Sequence, residues 1–404
     1  MRAMKDSGVP WLKEIPVDWK VERGKNVLAL QKRPVRDNDE VVTCFRDGEV
    51  ILRSLRRTEG FTMSDKEIGY QGINEGDIVI HGMDGFAGAM GVSKSTGKGS
   101  PVLIVCTPKY DAIPQYIIYY LRALAMTDVF VALATGIRER SCDLRWNKVS
   151  ELEFIMPSSS EQQKIVEFLD RKCAEVDEMI ALQEQIIEEL KAYKQSVITE
   201  AVTKGLNPDA PMCDSGIDWI DTIPCHWIVR KMKSLIDLKS GSNLTSEQIS
   251  EKDDGYPVYG GNGLRGTYSE YSNEGDYVLI GRQGALCGNI NYASGKFWVT
   301  EHALVCYPKE VLDIRWLGES LRTMNLNQYS LSAAQPGLSA ERIKNLYMIV
   351  PPTTEQQAIA DYLDDKCADI DSLIQTKLSK IDSLKEYKKS IIYEYVTGKR
   401  EVEL

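Results

Sequence analysis

The side chains best suited to chemistry in this 404-residue chain are planar hydrogen-bonding groups set on glycine-rich turns. Tyr259-Gly260-Gly261-Asn262-Gly263-Leu264-Arg265 and Gly281-Arg282-Gln283-Gly284 present Asn, Gln and Arg where the backbone can approach a partner closely. In the first half, Arg53, Arg56 and Arg57 form one basic cluster. Arg138, Arg140, Arg145 and Lys148 form another, beside Trp146. An Arg pairs bidentately with guanine, and Asn or Gln with adenine, when the backbone holds the group against a base edge. Taken singly, each arginine reads equally well as an ordinary surface charge. Loops that carry planar donors and glycine in both halves favour contact with nucleic acid, and these residues are the ones the sequence offers for it.

A catalytic centre is harder to find. Gly91-Val92-Ser93-Lys94-Ser95-Thr96-Gly97-Lys98-Gly99 resembles a phosphate loop, but its spacing is one residue too long and Gly99 stands where a magnesium-binding hydroxyl is required. It reads as a solvated hairpin. Gly82-x-x-Gly85-x-x-Gly88 is not a dinucleotide fingerprint. The three histidines, His81, His226 and His302, lie at no metal-ligand spacing from one another. An Asn/Asp-Pro-Pro-Tyr box, which a stand-alone adenine methyltransferase needs, is absent from the sequence. No metal site and no catalytic residue is expected.

The elements that position those loops occur twice. Asp6-Ser7-Gly8-Val9-x-Trp11 with Ile15-Pro16-x-x-Trp19 returns as Asp214-Ser215-Gly216-Ile217-x-Trp219 with Ile223-Pro224-x-x-Trp227, displaced by 208 residues. Glu161-Gln162-Gln163 through Cys173 returns as Glu355-Gln356-Gln357 through Cys367, displaced by 194. Between them, Glu75-Gly76-Asp77-Ile78 through Gly85 matches Glu274-Gly275-Asp276-Tyr277 through Gly284. An internal repeat decides architecture before any local reading. The segments of about 150 residues, rich in Gly, Tyr and β-branched residues, predict one α+β domain used twice.

Two long helices are predicted beside these domains. Leu169, Cys173, Val176, Ile180, Ile187, Leu190 and Val197 fall on a 4-3-4-3 spacing, and so do Leu363, Cys367, Ile370, Ile374, Ile381, Leu384 and Ile391. Gln183 and Lys194 interrupt the first stripe, Lys377 and Lys388 the second. That is a coiled-coil seam. Ser160-x-x-Gln163 and Thr354-x-x-Gln357 offer capping boxes. The connection leaves either direction of packing open; the antiparallel one, expected here, would relate the halves by a pseudo-two-fold axis. The expected division is a first domain over 1–157, a helix over 158–205, a second domain over 206–352, a helix over 353–398 and a tail over 399–404.

Charge and cysteine usage bound the partners. Net charge is −10, yet residues 1–160 carry 22 Lys/Arg against 21 Asp/Glu, so the acidity lies in the rest. An acidic total counts against tight, unaided DNA binding. Nine cysteines without a Cys-x-x-Cys pair indicate neither a disulfide framework nor a zinc ribbon. No run approaches the roughly 20 apolar residues of a membrane span. The start lacks the apolar run of a signal peptide, so a cytoplasmic location is expected.

In this order, and twice over, the motifs resemble the DNA-specificity subunit of bacterial Type I restriction–modification enzymes. The resemblance rests on the Ile-Pro-x-x-Trp openings, Tyr259 to Gly263, Thr300-Glu301-His302-Ala303, and the loop Gln335-Pro336-Gly337-Leu338-Ser339 leading to Pro351-Pro352 and Glu355-Gln356-Gln357. The first domain departs from it, with Gly136-Ile137-Arg138-Glu139-Arg140 in place of that loop. The likeness implies two target-recognition domains, each reading half of a bipartite double-stranded DNA site. It implies helices that set the spacer and dock two modification (methyltransferase) subunits, which recruit restriction (translocase/endonuclease) subunits. S-adenosylmethionine, ATP and Mg would serve those partners, with no cofactor in this subunit. The rival readings are a coiled-coil adaptor that binds proteins rather than DNA, and the specificity subunit of a methylation-only system.

Overall fold

The computed structural model describes residues 2–56, 68–127, 129–130, 144–217, 219–252, 255–284, 286–330 and 337–402. It divides into two compact units, Met1–Glu184 with Leu378–Leu404, and Gln185–Lys377. Each contains a globular domain and one stretch of each long helix.

In the first unit an antiparallel sheet runs in the order Leu28–Leu30, Leu103–Pro108, Ile78–His81, Met90–Val92. Its central strand is an unbroken apolar run because both of its faces are covered. Ile104 and Cys106 join a core with the helix Pro114–Met126, while Leu103 and Val105 join another with Val42, Val50 and Ile73. Side chains two apart share a face, which is the period of a strand. The second unit repeats the order as Ile236–Ser240, Ala303–Pro308, Tyr277–Gly281, Ile290–Ala293. There Leu304 and Cys306 face the helix Ile314–Thr323, and Leu279 and Val305 pack toward Phe297 and Val299 of a second sheet. Burial pushes the Cys106 thiol up to about 12 and raises Cys306 as well, so both remain packing groups.

Two local expectations are corrected. Cys106 lies opposite Ile78, and Cys306 opposite Val278, so the strands correspond with a displacement of 200 residues. The motif match had paired Ile78 with Tyr277. A slip of one residue turns every side chain to the other face, so the core overrides the motif match. The Gly91–Gly99 segment is not a solvated hairpin. Met90–Val92 pairs with Ile78–His81 and Gly97–Gly99 with Gln71–Ile73, so the turn crosses between sheets, with Ser93 only 2% exposed.

The long helices run Ser159–Lys204 and Thr353–Val396. Within the first unit Leu169, Cys173, Val176, Ile381, Leu384 and Ile391 are buried; within the second Ile187, Val197, Leu363, Cys367 and Ile370 are. Ile180, Leu190 and Ile374 are half-buried. Packing is antiparallel in each unit. In the first, Phe168 lies on Tyr395 with centroids 4.3 Å apart, and further along Asp177 accepts from Lys388 at 2.6 Å. In the second, Lys194 donates to Asp371 at 2.7 Å, and Val197, Ile198 and Ala201 further along share a core with Ile359 and Leu363. Two of the polar interruptions thus find partners on the facing helix. Solvent-exposed pairs of this kind contribute about 0.2–1 kcal/mol each, so they set register more than stability.

The capping boxes do not form. Ser158, not Ser160, caps the first helix, its hydroxyl accepting from the Glu161 amide at 3.3 Å. Gln163 and Gln357 instead donate to Glu167 and Asp361 one turn on, both at 2.9 Å. The helices start at Ser159 and Thr353, where the Ser158 carbonyl accepts from the Gln162 amide and the Pro352 carbonyl from that of Gln356.

The repeated motifs turn out to be joints. Glu161 accepts from Trp19 Nε1, and Glu355 from Trp227 Nε1, each at 2.9 Å. The next residue, Gln162, is 3% exposed; it accepts from the Ile113 amide at 2.9 Å and donates to the Pro157 carbonyl at 3.0 Å. Gln356, 2% exposed, does the same with Asp313 and Pro351, both at 3.0 Å. One motif therefore fastens the opening Trp, the loop before the short helix and the proline turn to the start of a long helix. Leaving a buried amide unpaired is costly, so both glutamines keep the same pair of backbone partners. The Asp-Ser-Gly openings are hairpin turns: Asp6 and Asp214 accept from Gly8 and Gly216 at 3.0 and 2.9 Å.

The second of these hairpins carries a disulfide, Cys213–Cys225, with Cα atoms 5.0 Å apart. The cysteine spacing had indicated none. Strands Met212–Ile217 and Ile220–Pro224 pair antiparallel and bring together two residues twelve apart in sequence. Among the described residues, no helix is long and apolar enough to cross a membrane.

Candidate nucleic-acid interface

In the second unit, four loop ends converge where the main sheet meets the Tyr259–Arg265 turn. The Arg282 amide, just past Tyr277–Gly281, donates to the His302 carbonyl at 2.8 Å, and its own carbonyl accepts from Leu338 at 2.9 Å. Its guanidinium donates to Ser240 Oγ at 3.2 Å. Gln283 bridges to Gly337, and its Oε1 lies 2.9 Å from His302 Nδ1. On the other side of that ring, Nε2 is 3.3 Å from Glu301 Oε1. The turn residue Asn262 accepts from Asn289 at 3.1 Å. Glycine is required where the loops touch: a Cβ on Gly281 would stand 2.2 Å from the Gly261 carbonyl, and one on Gly261 2.8 Å from that of His302. A close-packed set of backbones thus holds Arg, Gln and Asn side chains at its edge.

The first unit builds the same junction from other residues. The Gly82 amide donates to the Val102 carbonyl at 2.9 Å, and the Gly82 carbonyl accepts from Leu144 at 2.9 Å, as Arg282 does with His302 and Leu338. By this register Met83 corresponds to Gln283, Val102 to His302, and Arg145 and Trp146 to Ser339 and Ala340. The junction opens into a cleft of about 850 Å³ whose lining includes Lys32, Tyr70, Met83, Arg145 and Trp146. Nearby Arg33 is already paired with Asp77, a carboxylate 2% exposed.

The structure sorts the sequence-derived residues unevenly. Asn262, Arg265, Arg282 and Gln283 lie on the converging loops, their side chains engaged with Asn289, Gly260, Ser240 and His302. Tyr259 packs edge-on against Phe297 at 5.8 Å and lines a separate groove with Asp276 and Tyr292. Arg145 lines the first unit's cleft, and Lys148 sits half-buried on the helix Trp146–Glu151 behind it. Arg53 donates to Thr43 Oγ1 at 3.0 Å. Arg56 lies over Phe45 at 4.2 Å and pairs with Asp47 and Glu49 at 2.5 and 2.9 Å, holding the Asp47 carboxyl below its ordinary value. Its charge is thereby engaged within the domain. Arg57, Arg138 and Arg140 lie outside the described residues.

Sequence reasoning missed His302, Ser240 and Glu301 in the second unit and Lys32 and Met83 in the first. His302 had been weighed as a metal ligand and, with Glu301, named in the motif Thr300-Glu301-His302-Ala303 that carries the family resemblance, without a role at this junction. Nothing local marks Lys32 or Met83, which reach the cleft through strand pairing alone. Among the described residues, no group of three or more His, Cys, Asp or Glu could hold a metal ion.

Comparison with known proteins bears on the whole arrangement. Residues 224–383 match the Type I restriction modification DNA specificity domain. The chain is 39% identical over 138 residues to the Type I restriction enzyme EcoprrI specificity subunit of Escherichia coli, covering 33% of this chain and 34% of that one. It thus spans about a third of that relative's length. It is 22% identical over 416 residues to the putative type I restriction enzyme MjaX specificity subunit of Methanocaldococcus jannaschii, covering 96% and 94%. Among solved structures it shares its fold, at 16% identity and a TM-score of 0.74, with a chain from a study of complex assembly and conformational transition in a type I R-M system. That match covers 96% of this chain and 99% of the other. Sequence likeness along nearly the full chain and a common fold over the same span converge on one family, and the chain is similar throughout to the DNA-specificity subunits of Type I restriction–modification enzymes.

Proposed function

We propose that this chain chooses the DNA sites of a Type I restriction–modification complex, each globular domain reading one half of a bipartite site. One observation carries the reading. Two domains with the same strand order in the main sheet place loops at the same junction, and the side chains there differ: Met83, Val102, Arg145 and Trp146 in one, Gln283, His302, Ser339 and Ala340 in the other. Conserved frames with unlike polar edges suit two readers of different bases.

In this proposal the chain is non-catalytic. Two modification subunits dock on the long helices and transfer the methyl group of S-adenosylmethionine to adenine. Restriction subunits use ATP and Mg for translocation and cleavage, and the complex works in the cytoplasm. Docking of two copies of one partner is supported by apolar side chains exposed at matching helix positions. Met179 and Leu373, 194 residues apart, are 42% and 50% exposed; Tyr193 and Tyr387, likewise, are 57% and 49%. Isolated exposed apolar residues are ordinary; their recurrence at matching positions suits one kind of partner bound twice.

The test is a gel shift with the methyltransferase partner present. Binding should be confined to site-bearing duplexes and fall steeply with salt, with a slope of about −0.9 per phosphate neutralised. The chain alone, with a net charge of −10, should bind far more weakly. Salt-independent or sequence-blind binding by the assembled complex would point to a protein-binding adaptor instead.

A further inference from the structure

We infer that the first domain reads a thymine, and that Met83 is the side chain that selects it, by contact with the C5-methyl group in the major groove. The inference deepens the reading proposed above and rests on it. At the junction both domains keep the same backbone hydrogen bonds, Gly82 with Val102 and Leu144, Arg282 with His302 and Leu338, at 2.8 or 2.9 Å. The side chains on that frame differ in kind. Arg282, Gln283 and His302 all carry hydrogen-bonding groups. Gly82, Met83 and Val102 stand in their places, and none of their side chains can donate.

A single exposed apolar residue is ordinary, and Met83, 54% exposed, would mean little on its own. Its setting distinguishes it. Met83 lines the cleft of about 850 Å³ together with Tyr70, Val102 and Trp146, and with Lys32 and Arg145 on the same lining. Tyr70, Val102 and Trp146 are half-buried, so Met83 is the one of the four most open to a base edge. Cationic side chains position a duplex through its phosphates, and the reading of bases falls to other groups. A thioether offers no donor and only a weak acceptor. Laid against guanine, cytosine or adenine, it would take donors and acceptors out of water without replacing their partners, which is costly. Thymine alone presents a methyl group in the major groove, where apolar contact reads a base without any hydrogen bond. Methionine, unbranched and polarizable, adapts its shape to such a group.

The experiment is equilibrium binding of the assembled complex, this chain with its methyltransferase subunits, to duplexes carrying its methylated motif. Each thymine of the two specified blocks, on either strand, is replaced in turn by deoxyuridine, which pairs alike and lacks only the C5-methyl group. With the wild type, a replacement within one block should weaken binding about fourfold, the worth of one buried methyl group. Met83→Leu should keep that sensitivity. Met83→Ala should bind the unaltered duplex more weakly and lose no more when the same thymine is replaced, because two changes to one contact do not add. A purely structural role for Met83 would lower the amount of active complex and leave the fourfold ratio intact in Met83→Ala, which overturns the inference. Indifference of the wild type to uracil at every thymine overturns it too, as does a motif with no thymine in either block. Equal binding to duplexes with and without the motif overturns the underlying reading as well, which separates the two failures.

Discussion

Trp19→Ala and Trp227→Ala should each destabilise the chain by about 3–5 kcal/mol, the usual cost of deleting a large buried aromatic. Trp19 is 1% exposed and Trp227 5%, so each deletion leaves a cavity rather than a solvated gap. Each also strips the indole donor from a motif carboxylate, Glu161 or Glu355. Trp→Phe at either site keeps most of the volume and removes the donor, so its cost should be smaller, at about 1–3 kcal/mol. Denaturant unfolding of the full chain, wild type against each variant, measures both. A loss below about 1 kcal/mol for the Ala variants would mean that the repeated motifs are not the joints described here.

Lengthening both long helices by one heptad should widen the unread gap in the DNA site by about three base pairs. Seven residues add roughly 10.5 Å of helix, and base pairs rise about 3.4 Å each. Placing the insertions after Glu184 and after Lys377 leaves Asp177–Lys388 and Lys194–Asp371 each within its own stretch of paired helix. The seam repeats every seven residues, so a whole heptad keeps its apolar stripe continuous. An insertion of three or four residues breaks that phase and should abolish methylation instead. Methylation motifs of the heptad variant decide the matter. The two specified blocks should be unchanged and their separation longer; an unchanged separation means the helices do not act as a ruler.

Architecture was legible because it was written in periodicity. The seam from Leu169 to Val197 and from Leu363 to Ile391, and the duplication itself, needed only spacing, and burial follows that spacing closely. What failed depended on contacts that spacing does not encode. The phosphate-loop look-alike became a crossing between sheets because its two strands pair with partners distant in sequence. The one-residue shift between Ile78 and Val278 came from core packing, which outweighs a motif match. Arg282 and Gln283, singled out by their glycine setting, lie at the loop junction. Arg56 was indistinguishable in sequence from a reading residue, and only tertiary structure reveals Asp47, Glu49 and Phe45 around it. The place of His302 at the junction was not legible for the same reason: its side-chain partner Gln283 lies 19 residues away in sequence.

On the proposed reading, two domains with a common main sheet and unlike loops read two unlike blocks of one site. The most direct measurement is the methylome of a host carrying the unaltered chain with its methyltransferase subunits. The account predicts adenine methylation at a single asymmetric motif, two specified blocks separated by a fixed run of unspecified bases. One uninterrupted block, a palindrome built from a single block, or methylation without a recurrent motif would contradict it.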